Sequence, residues 1–477
     1  MGAPLATPGS APESRLLPRG DRRVLPRPGR RALVSCLLAA ILVIAAVPRM
    51  ERAGDRIAAS SADQRSYLRL AHDLRATGTY GDPELRHPFH WAPGTPVLFS
   101  VADAFSGTPP RQGIDMVAAR RAQALVGTAT VLAAFALAAL LAGPWAGLAA
   151  ALAVALYPPL VDATGALVSE PLGALAITAA LATLVWAWRG PPSRFLWAGL
   201  AIGLACLVRA DVLAAAMVVP LAVGALAARR RGWRAGTSRA AAMLLASAAV
   251  VGPWSVYAST ATGSFVPVTD GGESTLFIAT YLPGHGTLFG MKRALAAETR
   301  RRFPRLRNEP PSKIPATTFL AGVAARHPEL GQTAAIRRAV SDNLRRYALG
   351  RPGAFASMLA DKMWRMWGRY YHGTTHRVVP STLWIHRGIV LVALLGLLAG
   401  VMWARGAALG LVALALVVTT ALDVFFVAEP RHAVRLLPGL VAAGAAGWWL
   451  ALRVSLSAWR RRRARPAPIL RASRSAG

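Results

Sequence analysis

Apolar residues in this chain arrive in long blocks, and charged residues fill the gaps between them. A run of about 20 apolar residues at 1.5 Å rise matches the roughly 30 Å hydrocarbon core of a bilayer. Blocks that approach this length lie at about 33–48, 122–142, 145–161, 168–188, 195–209, 211–228, 240–257, 388–404, 407–427 and 436–453. Each predicts a membrane helix; the two that flank Arg209-Ala210-Asp211 are short enough to form a re-entrant hairpin instead. The pattern predicts an all-α polytopic membrane protein with about ten transmembrane helices.

The gaps set the domain organisation. Residues 1–31 are rich in Pro, Gly and Arg without periodicity and read as a disordered basic tail. The first helix, 32–48, is followed by a long loop at 49–121. Helices two to seven occupy 122–257, a second long loop 258–387, helices eight to ten 388–453, and a basic tail 454–477. A cleaved signal peptide competes for the first block, but the long basic leader and the lack of a small-x-small site argue against it. With the N-terminus in the cytoplasm, alternation puts the short basic segments Arg189–Arg194, Arg229–Arg239 and Arg460–Arg463 all on the cytoplasmic side. That agreement is what the positive-inside rule demands of short loops. Both long loops then fall outside, where length exempts them from the rule, and function is expected in them.

Composition agrees. Of 477 residues, 54% are hydrophobic and 16% charged, against about 25% charged in a soluble domain. The net charge of +33 comes from 55 Lys and Arg against 22 Asp and Glu. Those cations sit where membrane topology wants them and are not interleaved with base-stacking aromatics, so nucleic acid is not an expected partner. Cys36 and Cys206 each lie inside an apolar block without a metal-ligand spacing partner. Heavy Ala and Arg usage points to a GC-rich bacterial genome and so to a bacterial plasma membrane.

Chemistry-bearing residues concentrate in the first long loop. Asp63, Tyr67, Leu70, Ala71 and Leu74 share one face of a predicted helix. Ser61-x-x-Gln64 also fits a capping box, and an acid in the first turn meets the helix dipole favourably. The spacing leaves Asp63 open to a capping role or a catalytic one. Downstream come Gly78-Thr79-Tyr80, His87-Pro88-Phe89-His90, and the turn Pro93-Gly94-Thr95-Pro96, which returns the chain to the membrane.

An acid opening the first outer loop, Tyr four residues on, a Gly-x-Tyr and a Pro-Gly-x-Pro together resemble the polyprenyl-phosphate-sugar glycosyltransferases. These are membrane-embedded GT-C enzymes of glycosyltransferase family 39 type, relatives of protein O-mannosyltransferases and bacterial aminoarabinose transferases. The resemblance continues through Leu156-Tyr157-Pro158-Pro159, Ser169-Glu170-Pro171-Leu172, Gly199-Leu200-Ala201-Ile202-Gly203 with Val208-Arg209, and Gly252-Pro253-Trp254 with Gly263-Ser264-Phe265-Val266-Pro267-Val268. Each motif alone is weak; their order over about 400 residues makes the match specific. It implies a GT-C-like bundle with two large extracytoplasmic loops, and an inverting transfer of a sugar from a polyprenyl-phosphate donor to a glycan, lipid or protein hydroxyl. Many members carry two adjacent acids in the first loop, whereas here Gln64 follows Asp63.

That chemistry needs a base for the acceptor's proton and cations for the departing phosphate. Asp63 is the candidate base, since partial desolvation near a membrane surface makes a carboxylate more basic. Arg offers phosphate a planar bidentate fork, and the candidates are Arg65, Arg431 and Arg435. Tyr67, His87 and His90 are candidate contacts to sugar or phosphate, although either histidine alone reads as readily as an ordinary loop residue. Glu170 is placed at a membrane depth where an acid is costly and so suggests a role; its position before Pro171 in a first helical turn explains it nearly as well. Asp423 is expected to pair with an arginine. In the second loop, Phe355, Met358, Leu359, Met363, Met366 and Trp367 alternate with Lys362, Arg365 and Arg369, as in a helix lying on the membrane surface. No P-loop, zinc spacing or Ser-His-Asp order appears, so neither cofactor nor metal is expected. A transporter or flippase of lipid-linked sugars is the competing class, and a non-catalytic relative a third. The polar groups gather in two long loops instead of at the bilayer midplane, which favours the enzyme.

Overall fold

The computed structural model describes residues 29–55, 61–81, 87–109, 112–370, 380–404 and 406–463. The tails at 1–28 and 464–477 lie outside those residues, as do 56–60, 82–86, 110–111 and 371–379 of the long loops. Among the described residues there is no strand.

The first helix, α1 (Arg30–Gly54), runs beyond its predicted end at 48. Arg49 does not reach water: it is fully buried, and its guanidinium donates to the carbonyls of Ala45 at 2.8 Å, Ala155 at 3.1 Å and Val154 at 3.2 Å. The last two belong to the final turn of α5 (Pro144–Ala155), which follows α4 (Met116–Ala142). Pro158 and Pro159 cannot continue a helix without losing its hydrogen bonds, so the chain bends by 59° into α6 (Pro158–Asp162) and a short 3-10 turn. Arg49 satisfies the carbonyls that the break leaves open. In the first loop stand α2 (Ala62–Thr77) and α3 (Gly94–Ala104).

After the bent pair come α7 (Glu170–Trp188), α8 (Arg194–Val208), α9 (Leu213–Arg231) and α10 (Trp233–Thr262). The second loop carries α11 (Gly272–Thr280), α12 (Leu288–Ala294), α13 (Ala296–Arg302), α14 (Ala316–Ala324), α15 (Gln332–Asn343) and α16 (Pro352–Gly368). The chain then returns through α17 (Pro380–Ala404), α18 (Ala407–Phe425) and α19 (Pro430–Arg463). Eight of the described helices are long and apolar enough to span a membrane: α1, α4, α7, α9, α10, α17, α18 and α19. The α5–α6 pair is apolar enough as well but sharply bent, the geometry of a broken span or a re-entrant loop, and α8 is a shorter apolar helix. Every block predicted from the sequence is therefore helical. The protein is polytopic and all-α.

Because lipid is as apolar as leucine, burial does little to drive spans together, and close backbone approach takes over. The α17–α19 contact shows it. A Cβ on Gly447 would lie 1.9 Å from the carbonyl oxygen of Gly396, and one on Gly444 2.5 Å from that of Ala393.

The second loop has its own core, built around Phe277, Met291, Leu295, Phe319 and Ile336. Helix α16 shows the expected amphipathic face, with Phe355, Met358 and Met366 buried. Lys362, grouped above with the polar positions, shares that buried face instead. Its ammonium donates to the carbonyls of Phe426 at 2.6 Å, Phe425 at 3.2 Å and Ala279 at 3.4 Å. These close α18 and α11, where carbonyls carry the negative end of the helix dipole. One buried cation thus ties the loop to the spans, and burial lowers its pKa from 10.5 to about 8.

Candidate active site

Helix α2 begins with the predicted capping box. Ser61 Oγ accepts from the Gln64 amide, and the Gln64 side-chain oxygen accepts from the Ser61 amide. Gln64 does more: its Nε2 donates to the Ala166 carbonyl at 2.5 Å. From α4, Arg120 Nε donates to the Gly165 carbonyl at 3.2 Å and Gln123 Nε2 to that of Val168 at 2.6 Å. Three side chains therefore fix a turn that contains Leu167 at φ 43°, in the left-handed region disfavoured for leucine. That turn sets Ser169 and Glu170 at the start of α7. A carboxylate in place of Gln64 could not donate to Ala166, which gives the departure from the two-acid pattern a physical reason.

Asp63 is bonded by Arg431 from the first turn of α19. Arg431 Nε lies 2.8 Å from Glu429 and 3.8 Å from Glu170. Glu170 is 3.6 Å from Arg209, whose Nη1 donates to Ser169 Oγ at 2.7 Å and whose Nη2 lies 3.0 Å from Asp211. Asp211 is 2.7 Å from Arg435, and Arg435 donates to Asp423 at 2.5 Å. Seven side chains so form one alternating chain of charge, from Asp63 to Asp423. With Glu429 it holds five carboxylates (Asp63, Glu170, Asp211, Asp423, Glu429) against three guanidiniums (Arg209, Arg431, Arg435). The cations are committed to partners, so an incoming phosphate must compete for them.

Exposure divides the chain of charge in two. The Arg435 and Asp423 side chains are 0% and 3% exposed, a closed internal pair; those of Arg431 and Asp63 are 29% and 22% exposed. The open half faces a cavity of about 160 Å³ lined by Tyr67, His90, Glu170, Arg209, Asp211 and Arg431 among others. Among the described residues, Glu170 Oε2 has no hydrogen-bond partner. A buried polar atom left unpaired costs about 1–3 kcal/mol. Burial and the charge of Glu170 hold the Tyr67 phenol well above its usual pKa, so it remains a donor. Burial lowers the His90 pKa and favours a neutral ring.

The cavity gathers Tyr67, His90, Glu170 and Arg431 of the sequence candidates, with Asp63 bonded to Arg431 at its edge. It does not gather the rest. Arg65 is exposed and not part of the cavity lining, two positions round α2 from Asp63. Arg435 is enclosed with its two acids, and Asp423 has the arginine expected for it. His87 lies 3.2 Å from Glu273 and lines a second cavity, of about 350 Å³, that adjoins the first through His90 and Trp91. Backbone pairing between Phe89 and Asp270 joins the two loops there, with Asp270 Oδ2 also accepting from the Phe89 amide at 3.3 Å. Arg209, Asp211, Ser169 and Glu429 were not singled out as site residues. In the sequence Arg209-Ala210-Asp211 shows only as a charged break between two short apolar blocks, open to a re-entrant hairpin.

No protein-family model matches the chain, and no curated protein sequence does. Solved structures do match. The oligosaccharyltransferase AglB of Archaeoglobus fulgidus, in complex with an inhibitory peptide and a dolichol-phosphate, aligns over 90% of this chain and 51% of its own, at 16% identity and a TM-score of 0.51. The apo form of the oligosaccharyltransferase from that organism aligns over 91% and 52%, at 16% identity and a TM-score of 0.53. ArnT from Cupriavidus metallidurans bound to undecaprenyl phosphate aligns over 91% and 79%, at 17% identity and a TM-score of 0.41. The chain spans about half the length of the oligosaccharyltransferase structures it matches. The likeness is one of fold, and the fold is GT-C-like.

Proposed function

We propose that this chain is a glycosyltransferase of a bacterial plasma membrane, moving a sugar from a polyprenyl-phosphate donor to a hydroxyl acceptor on the outer face. The observation that carries the reading is the Asp63–Arg431 pair at the edge of a charged cavity, within a GT-C-like bundle. The dolichol-phosphate seen in the archaeal structure of like fold adds support for a lipid-phosphate ligand. The topology follows from the short basic loops, with both termini in the cytoplasm and both long loops outside.

In the mechanism, Arg431 is shared between two anions. In the resting site it holds Asp63. When a donor phosphate reaches the cavity, it draws the Arg431 and Arg209 guanidiniums, and Asp63 is released to accept a proton. The acceptor oxygen attacks the anomeric carbon from the face opposite the phosphate, its proton passing to the Asp63 carboxylate. The bond from the anomeric carbon to the phosphate oxygen breaks, and its electron pair leaves with the polyprenyl phosphate. The sugar is inverted. Glu170, with one oxygen unpartnered at the cavity, is suited to accept from sugar hydroxyls, and Tyr67 and His90 line the same space. A glycan, lipid or protein can supply the hydroxyl. The test is transfer of radiolabelled sugar from a panel of polyprenyl-phosphate sugars by the purified chain; no transfer from any of them, in membranes of intact protein, sinks the reading.

A further inference from the structure

The second cavity differs from the first in what builds it. Its wall comes from the N-terminal turns of α2, the 87–91 loop, the Gly271 turn, α11, α12, α14 and α15. No residue of a membrane span lines it, whereas Glu170, Asp211 and Arg431 of the first cavity all sit at the ends of spans. Its lining is largely apolar, with Trp91, Ile278, Leu288, Leu320 and Ile336, beside the mutually paired His87 and Glu273. Ser66, Ser274, Thr275 and Thr317 add hydroxyls to the lining. Trp91 is held in place by ring contacts with Tyr67 at 5.0 Å and His90 at 4.8 Å, and these three residues all line the charged cavity.

A polyprenyl donor is anchored in the bilayer, so its phosphate must come from the side of the spans. A cavity made only of loop segments is approached from water. Its volume, about 350 Å³, falls in the range of small-ligand sites, which bury an apolar body and orient it with a few polar groups. We infer that this cavity is the acceptor subsite, and that it selects an acceptor carrying a compact apolar group, such as an aryl or branched alkyl moiety, beside its reactive hydroxyl. The inference rests on the transferase reading. Trp91 stacks against the apolar group while the hydroxyl crosses the His90–Trp91 boundary toward Asp63. A purely hydrophilic sugar would leave the Ile278, Leu320 and Ile336 wall in contact with water and gain little from it.

The experiment uses the full chain in phosphatidylcholine nanodiscs without donor, so that binding is read independently of transfer. Saturation-transfer NMR is recorded with 4-nitrophenyl β-glucoside, glucose and farnesyl phosphate. The aryl glucoside is expected to bind at least tenfold more tightly than glucose, with saturation strongest on the ring protons. Thr275→Trp, which fills the cavity from a partly exposed position, is expected to weaken it at least tenfold. Thr317→Trp, at an exposed position on the rim, provides a second blocking variant should the first fail to fold. Thr108→Trp, outside the cavity lining, should leave binding unchanged. Equal binding of glucose and the aryl glucoside, no binding of either, or indifference to both blocking variants overturns the inference. So does farnesyl phosphate competing with the aryl glucoside and being lost in the same variants, since the cavity would then hold the donor chain. Binding as expected without transfer from any donor would instead leave the subsite and remove the enzyme.

Discussion

The Asp63 carboxylate accepts a hydrogen bond from the Arg431 guanidinium, across 368 residues of sequence. The pair joins the first turn of a loop helix to the first turn of the last span, so it sets the spacing of the cavity as well as its charge. It also means that the proposed base is occupied until something with greater claim on the guanidinium arrives. A donor phosphodiester, singly charged but able to engage the Arg431 and Arg209 guanidiniums together, competes for it. Its claim grows as the bond to the sugar breaks and a second charge develops.

Asp63→Asn keeps size, the bond from Arg431 and much of the first-turn geometry while removing basicity. The expected loss in turnover is about 100- to 10,000-fold, with thermal stability close to wild type. A capping role alone predicts about 1 kcal/mol or less of lost stability and near-normal turnover. Measuring both quantities on one variant separates the two.

Arg431 and Arg435 are one helical turn apart yet should respond differently. Arg431→Ala is expected to raise the apparent KM for donor by roughly ten- to a hundredfold, the worth of a lost charge-assisted contact of about 1.5–3 kcal/mol. Arg435→Ala leaves Asp423, 3% exposed, without its cation. Breaking a buried pair from one side costs about 3–5 kcal/mol, so this variant should melt far below wild type. Similar melting of the two variants would place them in one structural network.

Gln64→Glu recreates the two-acid pattern from which this sequence departs. Here it removes the donor to the Ala166 carbonyl and puts two oxygens face to face. The variant should lose thermal stability and gain no activity; a gain would show that position 64 reaches the substrate.

Lys362 gives a pH signature. With its folded pKa lowered to about 8 from 10.5, both states are charged below pH 8. Between those values the unfolded chain binds a proton that the folded chain has released, so stability rises with pH, by at most about 1.36 kcal/mol per unit. Lys362→Met lacks this component. Differential scanning fluorimetry from pH 7 to 10 should show the wild-type melting temperature gaining on that of the variant above pH 8, and a constant difference would place the ammonium outside the buried site.

Topology is read by cysteine labelling in a background with Cys36 and Cys206 replaced. A cysteine at Thr108 should react with an impermeant maleimide from outside, and one at Ser238, exposed in the short basic segment, should react only after the membrane is permeabilised. The reverse pattern inverts the protein and moves the cavity to the cytoplasm.

What the sequence disclosed follows from the length scale of each interaction. A bilayer acts on every residue of a span alike, so the ten apolar blocks stood out and each is helical. The α2 capping box was equally visible, because its partners lie three residues apart. The alternating chain of charge was not, since Arg209, Arg431 and Glu170 meet only once α2, α7, α8 and α19 have packed. Lys362 was legible in hindsight: 355, 358, 362 and 366 fall on one helical stripe, and a lysine on that stripe implies waiting carbonyls. Arg65, two residues from the base in sequence, shows the opposite case, since two positions along a helix turn side chains to opposite faces.

The arginine that plugs the bend between α5 and α6 also bears on how the chain is made. Arg49 emerges from the ribosome about a hundred residues before the carbonyls of Val154 and Ala155 that it will meet. Until then the first helix carries an uncompensated cation near one end, which is costly in hydrocarbon and draws that end toward the lipid headgroups. The first helix can settle to its final depth only when the fifth arrives. Membrane insertion of this protein is therefore out of order at its start, with the first helix seated only after the fourth and fifth have emerged.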